Sequence, residues 1–242
     1  MKFNSTNRLQ WMKNNDNAGP EGWLGYTTLL PCHYYVHSVG SNCSYSLKLL
    51  NKNLLLNGNG YTHIEGNHGN FFPDGWVWSQ AIAPFNKASL GLVAGKFSIG
   101  PISPLNFILY FRKNGRVWNF GSTRLDKFKY DIDSTRGIVK IVAFSPSKNS
   151  KIKIKISLSK SPAIAFGKPV HIPTPIGFSN TPGCRESYSA NTVVNCYERS
   201  NNENSTYICI ERQTFSLTCL EFGGSYTNIG HITSNPNENI YE

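Results

Sequence analysis

The sequence predicts an all-β protein, and three observations carry that reading. The polar residues are largely Asn, Ser, Thr and Gly, and the 242 residues include 21 Gly and 13 Pro, a mix that suits strands and turns better than helices. Ala is scarce, and no long window shows the 3.6-residue apolar repeat of an amphipathic helix. Short alternating or apolar segments recur along the chain with turn-forming residues between them. Many short strands joined by tight turns suggest a closed barrel or a sandwich, and the length suits one large β domain or two small ones.

Taken in order, residues 1–20 read as a polar lead-in ending at Gly19-Pro20, and the domain proper is expected over residues 21–225, as one body or as two β sublobes. Candidate strands in the first half are Cys32–Val39, Tyr45–Leu50, Trp76–Ile82, Leu90–Phe97, Phe107–Arg112 and Arg116–Phe120. Those of the second half are Lys127–Ile132, Gly137–Phe144, Lys151–Ser159, Val193–Tyr197, Tyr207–Ile210 and Thr214–Phe222. Turn signals stand at Asn57-Gly58-Asn59-Gly60, Lys113-Asn114-Gly115 and Ser145-Pro146-Ser147. In the strand starting at Lys151, period two turns the lysines to water and Ile152, Ile154, Ile156 and Leu158 to the core, and the lysine row suits a sheet edge. Pro-rich residues 161–183 are the longest irregular stretch, either a linker or a loop over a barrel mouth. Residues 226–242 read as a polar tail. No internal repeat is visible.

Charge and cysteine usage narrow the function classes. The net charge is +10, which can serve nucleic acid, anionic lipid or acidic ligands. Apart from the alternation between Lys148 and Lys160, the cations are spread thinly. Nucleic acid is not the expected partner, because bases need a surface of interleaved aromatic and cationic groups. Cys32, Cys43, Cys184, Cys196, Cys209 and Cys219 contain no CxxC pair, so zinc-ribbon spacing is absent. Several sit in apolar strand patterns, where a free thiol behaves as a small hydrophobe. Residues 1–17 lack an apolar signal core, and no run of about 18 apolar residues suggests a membrane span. Asn4, Asn42 and Asn204 begin glycosylation triplets that an Asn-rich chain produces by chance. A cytoplasmic protein with reduced thiols, or one peripheral to an internal membrane, is expected.

The densest chemistry lies between Thr62 and Gln80. In an extended chain His63, Glu65 and Asn67 share one face. Turned inward, they would shift one another's proton affinities, and Glu65 could serve as a general acid; turned outward, they are a polar loop. Trp76, Trp78 and Gln80 share a face in the same way, as a core stack or as an aromatic wall able to stabilise a cation. His33, Tyr35 and His37 form another same-face set, either a second polar wall or a half-exposed strand. No helical His pair, P-loop, dinucleotide-binding glycine fingerprint or nucleophile elbow is present, and no metal is expected.

These residues resemble a known family. His63-Ile64-Glu65-Gly66-Asn67-His68, with Phe72-Pro73 and Trp78-Ser79-Gln80, is similar to the tocopherol cyclase-like signature. Cys184-Arg185-Glu186-Ser187, Tyr197-Glu198-Arg199 and Leu220-Glu221-Phe222-Gly223-Gly224 resemble the family's C-terminal pattern, and Leu30 to Ser38 resembles the segment before the signature. The order fits across about residues 23–225. Gly66 and His68 stand where the family has Lys and Trp, and Glu21-Gly22-Trp23 only faintly echoes its N-terminal aromatic motif.

The resemblance implies lipocalin-like antiparallel β-barrels or strongly curved sheets with few helices. It also implies cofactor-free closure of a chromanol ring on a prenylated hydroquinone. An acid protonates the prenyl double bond, and a phenolic oxygen captures the tertiary cation. It implies Glu65 as the acid, Asn67 as its orienting partner, Trp76 and Trp78 as walls of the prenyl channel, and Gln80 near the ring. His63 is a plausible partner of Glu65. The alternative is a non-catalytic lipocalin-like carrier of a prenylquinone, terpenoid or lipid. Either way the partner is an apolar small molecule; a peripheral membrane contact is compatible with it, and the oligomeric state stays open.

Overall fold

Side-chain alternation along strands organises the computed structural model, which describes residues 2–5, 9–11, 19–28, 30–98, 101–200 and 205–234. Two units are separated by backbone contacts, Met1–His68 and Gly69–Glu242, and each is described by itself.

The first unit is a three-stranded sheet of β1 (Lys2–Asn4), β2 (Cys32–Leu49) and β3 (Leu54–Gly69), in that order. β1 lies within the expected lead-in and pairs antiparallel with β2, Lys2 opposite Ser46. The two strands expected over 32–50 are a single long one that passes through Gly40 at φ 78°. The turn expected at Asn57-Gly58-Asn59-Gly60 is a correction: these residues run inside β3. The physical reason is the Tyr45 ring, which lies so close that a Cβ on Gly58 would stand 2.7 Å from its hydroxyl oxygen. Glycine here permits a close approach within a strand rather than a reversal.

The second unit is a ten-stranded antiparallel half-barrel. Its strands are β4 (Gly75–Ala83), β5 (Ala88–Lys96), β6 (Leu105–Lys113), β7 (Arg116–Gly121), β8 (Lys127–Asp133), β9 (Ile138–Ser145), β10 (Ser150–Leu158), then β13 (Cys184–Glu198), β14 (Ile208–Gly224) and β15 (His231–Thr233). Between β10 and β13 stand a short helix, α1 (Pro162–Ala165), and a small hairpin of β11 (Pro173–Thr174) and β12 (Gly177–Phe178). The order across the large sheet is β15-β8-β9-β10-β13-β14-β4-β5-β6-β7. The expected turn at Asn114-Gly115 is the β6–β7 hairpin, with φ 49° and 83° at those residues, the left-handed pair that a two-residue turn between twisted strands demands. In the segment expected as a tail, β15 pairs with β8, His231 opposite Asp133; residues 235–242 lie outside the described ones.

β10 is a central strand between β9 and β13, not an edge. Its isoleucines 152, 154 and 156 are fully buried, as the alternation requires. Only part of the lysine row faces water: Lys155 is exposed, Lys153 is buried, and the Lys151 ammonium lies 4.9 Å and 4.6 Å from the centres of the Tyr197 and Tyr207 rings. Long aliphatic stems lie along the sheet and place their charges on aromatic faces.

The concave side is filled by one contiguous apolar cluster drawn from strands around the sheet, including Leu92, Leu109, Phe120, Ile141, Ile154 and Phe222. Phe107 of β6 stacks on Phe128 of β8, centres 4.3 Å apart, which ties one limb of the curved sheet to the other. Among the described residues no helix is long and apolar enough to cross a membrane.

Neighbouring positions of β10 test this division of faces. Ile154→Ala is expected to cost about 2–5 kcal/mol, the range for truncating a buried isoleucine. Lys155→Ala is expected to stay within about 0.5 kcal/mol of wild type. Urea denaturation followed by circular dichroism measures both.

Candidate functional site

In the first unit β3 is extended through the signature, so His63, Glu65 and Asn67 share a face. His63 Nε2 lies 2.6 Å from Glu65 Oε2, with the two side chains 11% and 21% exposed. The Tyr34 hydroxyl donates to the same carboxylate oxygen. Asn67 is exposed and stands apart from this trio. The Tyr34 backbone N–H donates to Glu21 Oε1 at 2.7 Å, and Glu21 Oε2 meets His33 Nδ1 at 2.8 Å.

Because Tyr34 reaches Glu65, the residues flanking it in β2 point the other way. His33, Tyr35 and His37 therefore do not form a second wall around Glu65; Tyr35 and His37 are exposed, and the His33 and Tyr35 rings are 6.3 Å apart. Tyr34 and Glu21 are the contacts that sequence reasoning missed. A groove of about 600 Å³ elsewhere in this unit is lined by Asn4, Asn42, Cys43, Ser44, Asn59, Gly60 and Tyr61, none of them an expected site residue.

In the second unit Trp76, Trp78 and Gln80 occupy the outer face of β4, while Val77 and Ala81 belong to the core. Trp76 is buried, and its indole covers Gly223, where a Cβ would stand 1.9 Å from the ring. Phe72 packs against it, with ring centres 5.3 Å apart. The Trp76 Nε1–H donates to Glu221 Oε1. Glu221 is flanked in register by Trp78 on β4 and by Glu186 on β13. Oxygens of the two carboxyls and the Cys184 sulfur lie within 4.8 Å of one another, and the Tyr188 hydroxyl donates to Glu186 Oε2 at 2.6 Å. Gln80 stands farther along β4, half-buried, opposite Cys219 and Gly91.

The electrostatics of this cluster are those of a proton store. Burial pushes Glu221 up to about 7, the adjoining Glu186 carboxyl pushes the same way, and the Trp76 N–H opposes both. The hydrogen bond to Glu186 pushes the Tyr188 phenol up to about 12. Burial, with Glu221 beside it, raises the Cys184 thiol and disfavours the thiolate. Cys184, Glu186 and Glu221 could reach one cation, the one such trio among the described residues. Two neighbouring carboxyls cannot both carry charge cheaply, which favours a protonated Glu221 and makes it a candidate proton donor.

Glu186 and Glu221 lie in the segments that resemble the tocopherol cyclase-like C-terminal pattern, a resemblance that implies no role for either. The available signal was a charge inside an apolar strand, as in Leu220-Glu221-Phe222.

No protein-family profile matches the chain, and no curated protein matches it. Among solved structures, the kievitone hydratase of Nectria haematococca aligns over 82% of this chain and 54% of its own, with a TM-score of 0.41 and 9% identity. The chain thus spans about half the length of that structure, and a likeness so loose says nothing of chemistry.

The pH dependence of stability follows from Glu221. Its proton is held more tightly in the folded chain than in the unfolded one, so its contribution is fully present below about 4.5 and is lost as pH rises through about 7. Urea midpoints are expected to decline across that interval, and Glu221→Gln is expected to flatten the decline.

Proposed function

We propose that the protein is an acid catalyst acting on an apolar, unsaturated small molecule, and specifically a cyclase of the tocopherol cyclase type that closes a chromanol ring on a prenylated hydroquinone. The observation that supports this most is the Glu186–Glu221 carboxyl pair, half-buried beside Trp76 and Trp78, in which Glu221 keeps its proton up to about pH 7. Protonating an alkene near neutral pH requires such a donor.

In this reading Glu221 gives its proton to the less substituted carbon of the prenyl double bond, and a C–H bond forms. The neighbouring carbon becomes a tertiary cation, which the half-buried Trp78 ring stabilises. The phenolic oxygen bonds to that carbon, and its proton passes to the carboxylate pair. The substrate is isomerised and the pair is restored. This reading gives the acid role to Glu221 rather than Glu65, because one Glu65 oxygen is already engaged by the Tyr34 hydroxyl and His63 Nε2, whereas Glu221 lies against a second carboxyl.

The test is turnover of a panel of prenyl hydroquinones by the purified protein, with product detected by mass. Glu221→Gln is expected to lower the rate by about 10²-fold or more, and Glu65→Gln by less than about tenfold. Loss with Glu65→Gln alone would return the acid role to Glu65. Binding of the quinone without product from wild type would leave the carrier.

A further inference from the structure

Residues 134–185 contain nine of the chain's 24 Lys and Arg and none of its 14 Asp and Glu. The remaining 190 residues carry 15 cations against 14 acids, so almost the whole net charge of +10 resides in this one segment. It comprises β9, β10, α1 and the β11–β12 hairpin. On the outer face of the sheet, register sets Lys155 beside Lys140, whose charge is met by Asp131 at 2.9 Å, and Lys151 between Phe144 and Tyr197. Beyond β10 the chain carries exposed Lys160 and Lys168 and then enters the hairpin.

The hairpin presents apolar side chains to water: Ile176 at its turn is 98% exposed and Phe178 is 69% exposed. It is nonetheless held in shape. The Ser179 N–H donates to the Ile172 carbonyl at 2.9 Å, the Ile172 N–H to Ser179 Oγ at 3.1 Å, and the Gly183 N–H to the Val170 carbonyl at 2.9 Å. An ordered, apolar, exposed tip on a cationic, acid-free segment is the composition of an interfacial anchor, which joins buried apolar area to attraction for anionic headgroups.

We propose that this hairpin docks the protein on an anionic lipid bilayer, with Ile176 and Phe178 entering the acyl region and Lys155, Lys160 and Lys168 meeting headgroup phosphates. A nucleic acid fits less well. Lys127 lies over Phe144, and Lys151 and Arg199 lie over Tyr207, so these rings are already covered, and an apolar tip has no counterpart on a polynucleotide. The inference does not depend on the cyclase reading. It does place a lipid contact near that chemistry, since the hairpin root bonds through Val170 to Cys184, beside the carboxyl pair.

The test is co-sedimentation of the full chain with phosphatidylcholine vesicles, with and without phosphatidylserine. Binding is expected with the anionic vesicles and is expected to weaken as salt is added. Ile176→Asp with Phe178→Asp is expected to lower vesicle affinity at least about tenfold while the thermal melt stays in place. Lys160→Glu with Lys168→Glu is expected to reduce the preference for anionic vesicles. Three results would overturn the proposal: no binding of wild type to anionic vesicles, undiminished binding by the Ile176/Phe178 variant, or retention of a single-stranded RNA oligomer in place of vesicles. Sedimentation reads membrane contact alone, so its failure is distinct from any failure of turnover.

Discussion

The register between β13, β14 and β4 is the constraint from which the candidate chemistry follows. It sets Glu186, Glu221 and Trp78 side by side on three adjacent strands. One row along, Gly223 leaves the space that the Trp76 indole fills. Because the concave face of the half-barrel is occupied by a continuous apolar cluster, these groups stand on the opposite face. There the two carboxyls are half-buried beside Trp76 and Trp78. Slipping β14 by one residue would turn Glu221 into that apolar cluster, so fold and proton store are specified by the same hydrogen-bond ladder.

The two units treat carboxyl groups differently. Glu65 accepts from a phenol and pairs with an imidazole, and Glu21 accepts from a backbone amide and pairs with an imidazole. Such sites hold and orient donors. Glu221 meets an indole N–H on one side and a second carboxyl on the other, a pairing that penalises charge.

Period-two patterns made much of this legible. The Ile152, Ile154, Ile156 face, the Asn114-Gly115 reversal and the shared face of His63 with Glu65 all follow from local spacing. What spacing cannot supply is the neighbour across the sheet. Glu186 and Glu221 are far apart in sequence and become one site only through pairing, and the contact of Tyr34 with Glu65 likewise joins two different strands. Asn57 to Gly60 misled for a related reason: glycine signals both reversal and close approach, and only the Tyr45 ring decides between them. The expected lysine edge failed likewise, since a row of cations gives no indication of strands on both sides of it.

The bond from the Trp76 indole to Glu221 gives the molecule a built-in optical probe. An indole whose N–H points at a titrating carboxyl sees a different local field when that group ionises, and its emission responds. Of the chain's five tryptophans, Trp76 therefore carries the emission that responds to this carboxyl, and a chain that keeps Trp76 alone among them would report its charge state without any label or substrate.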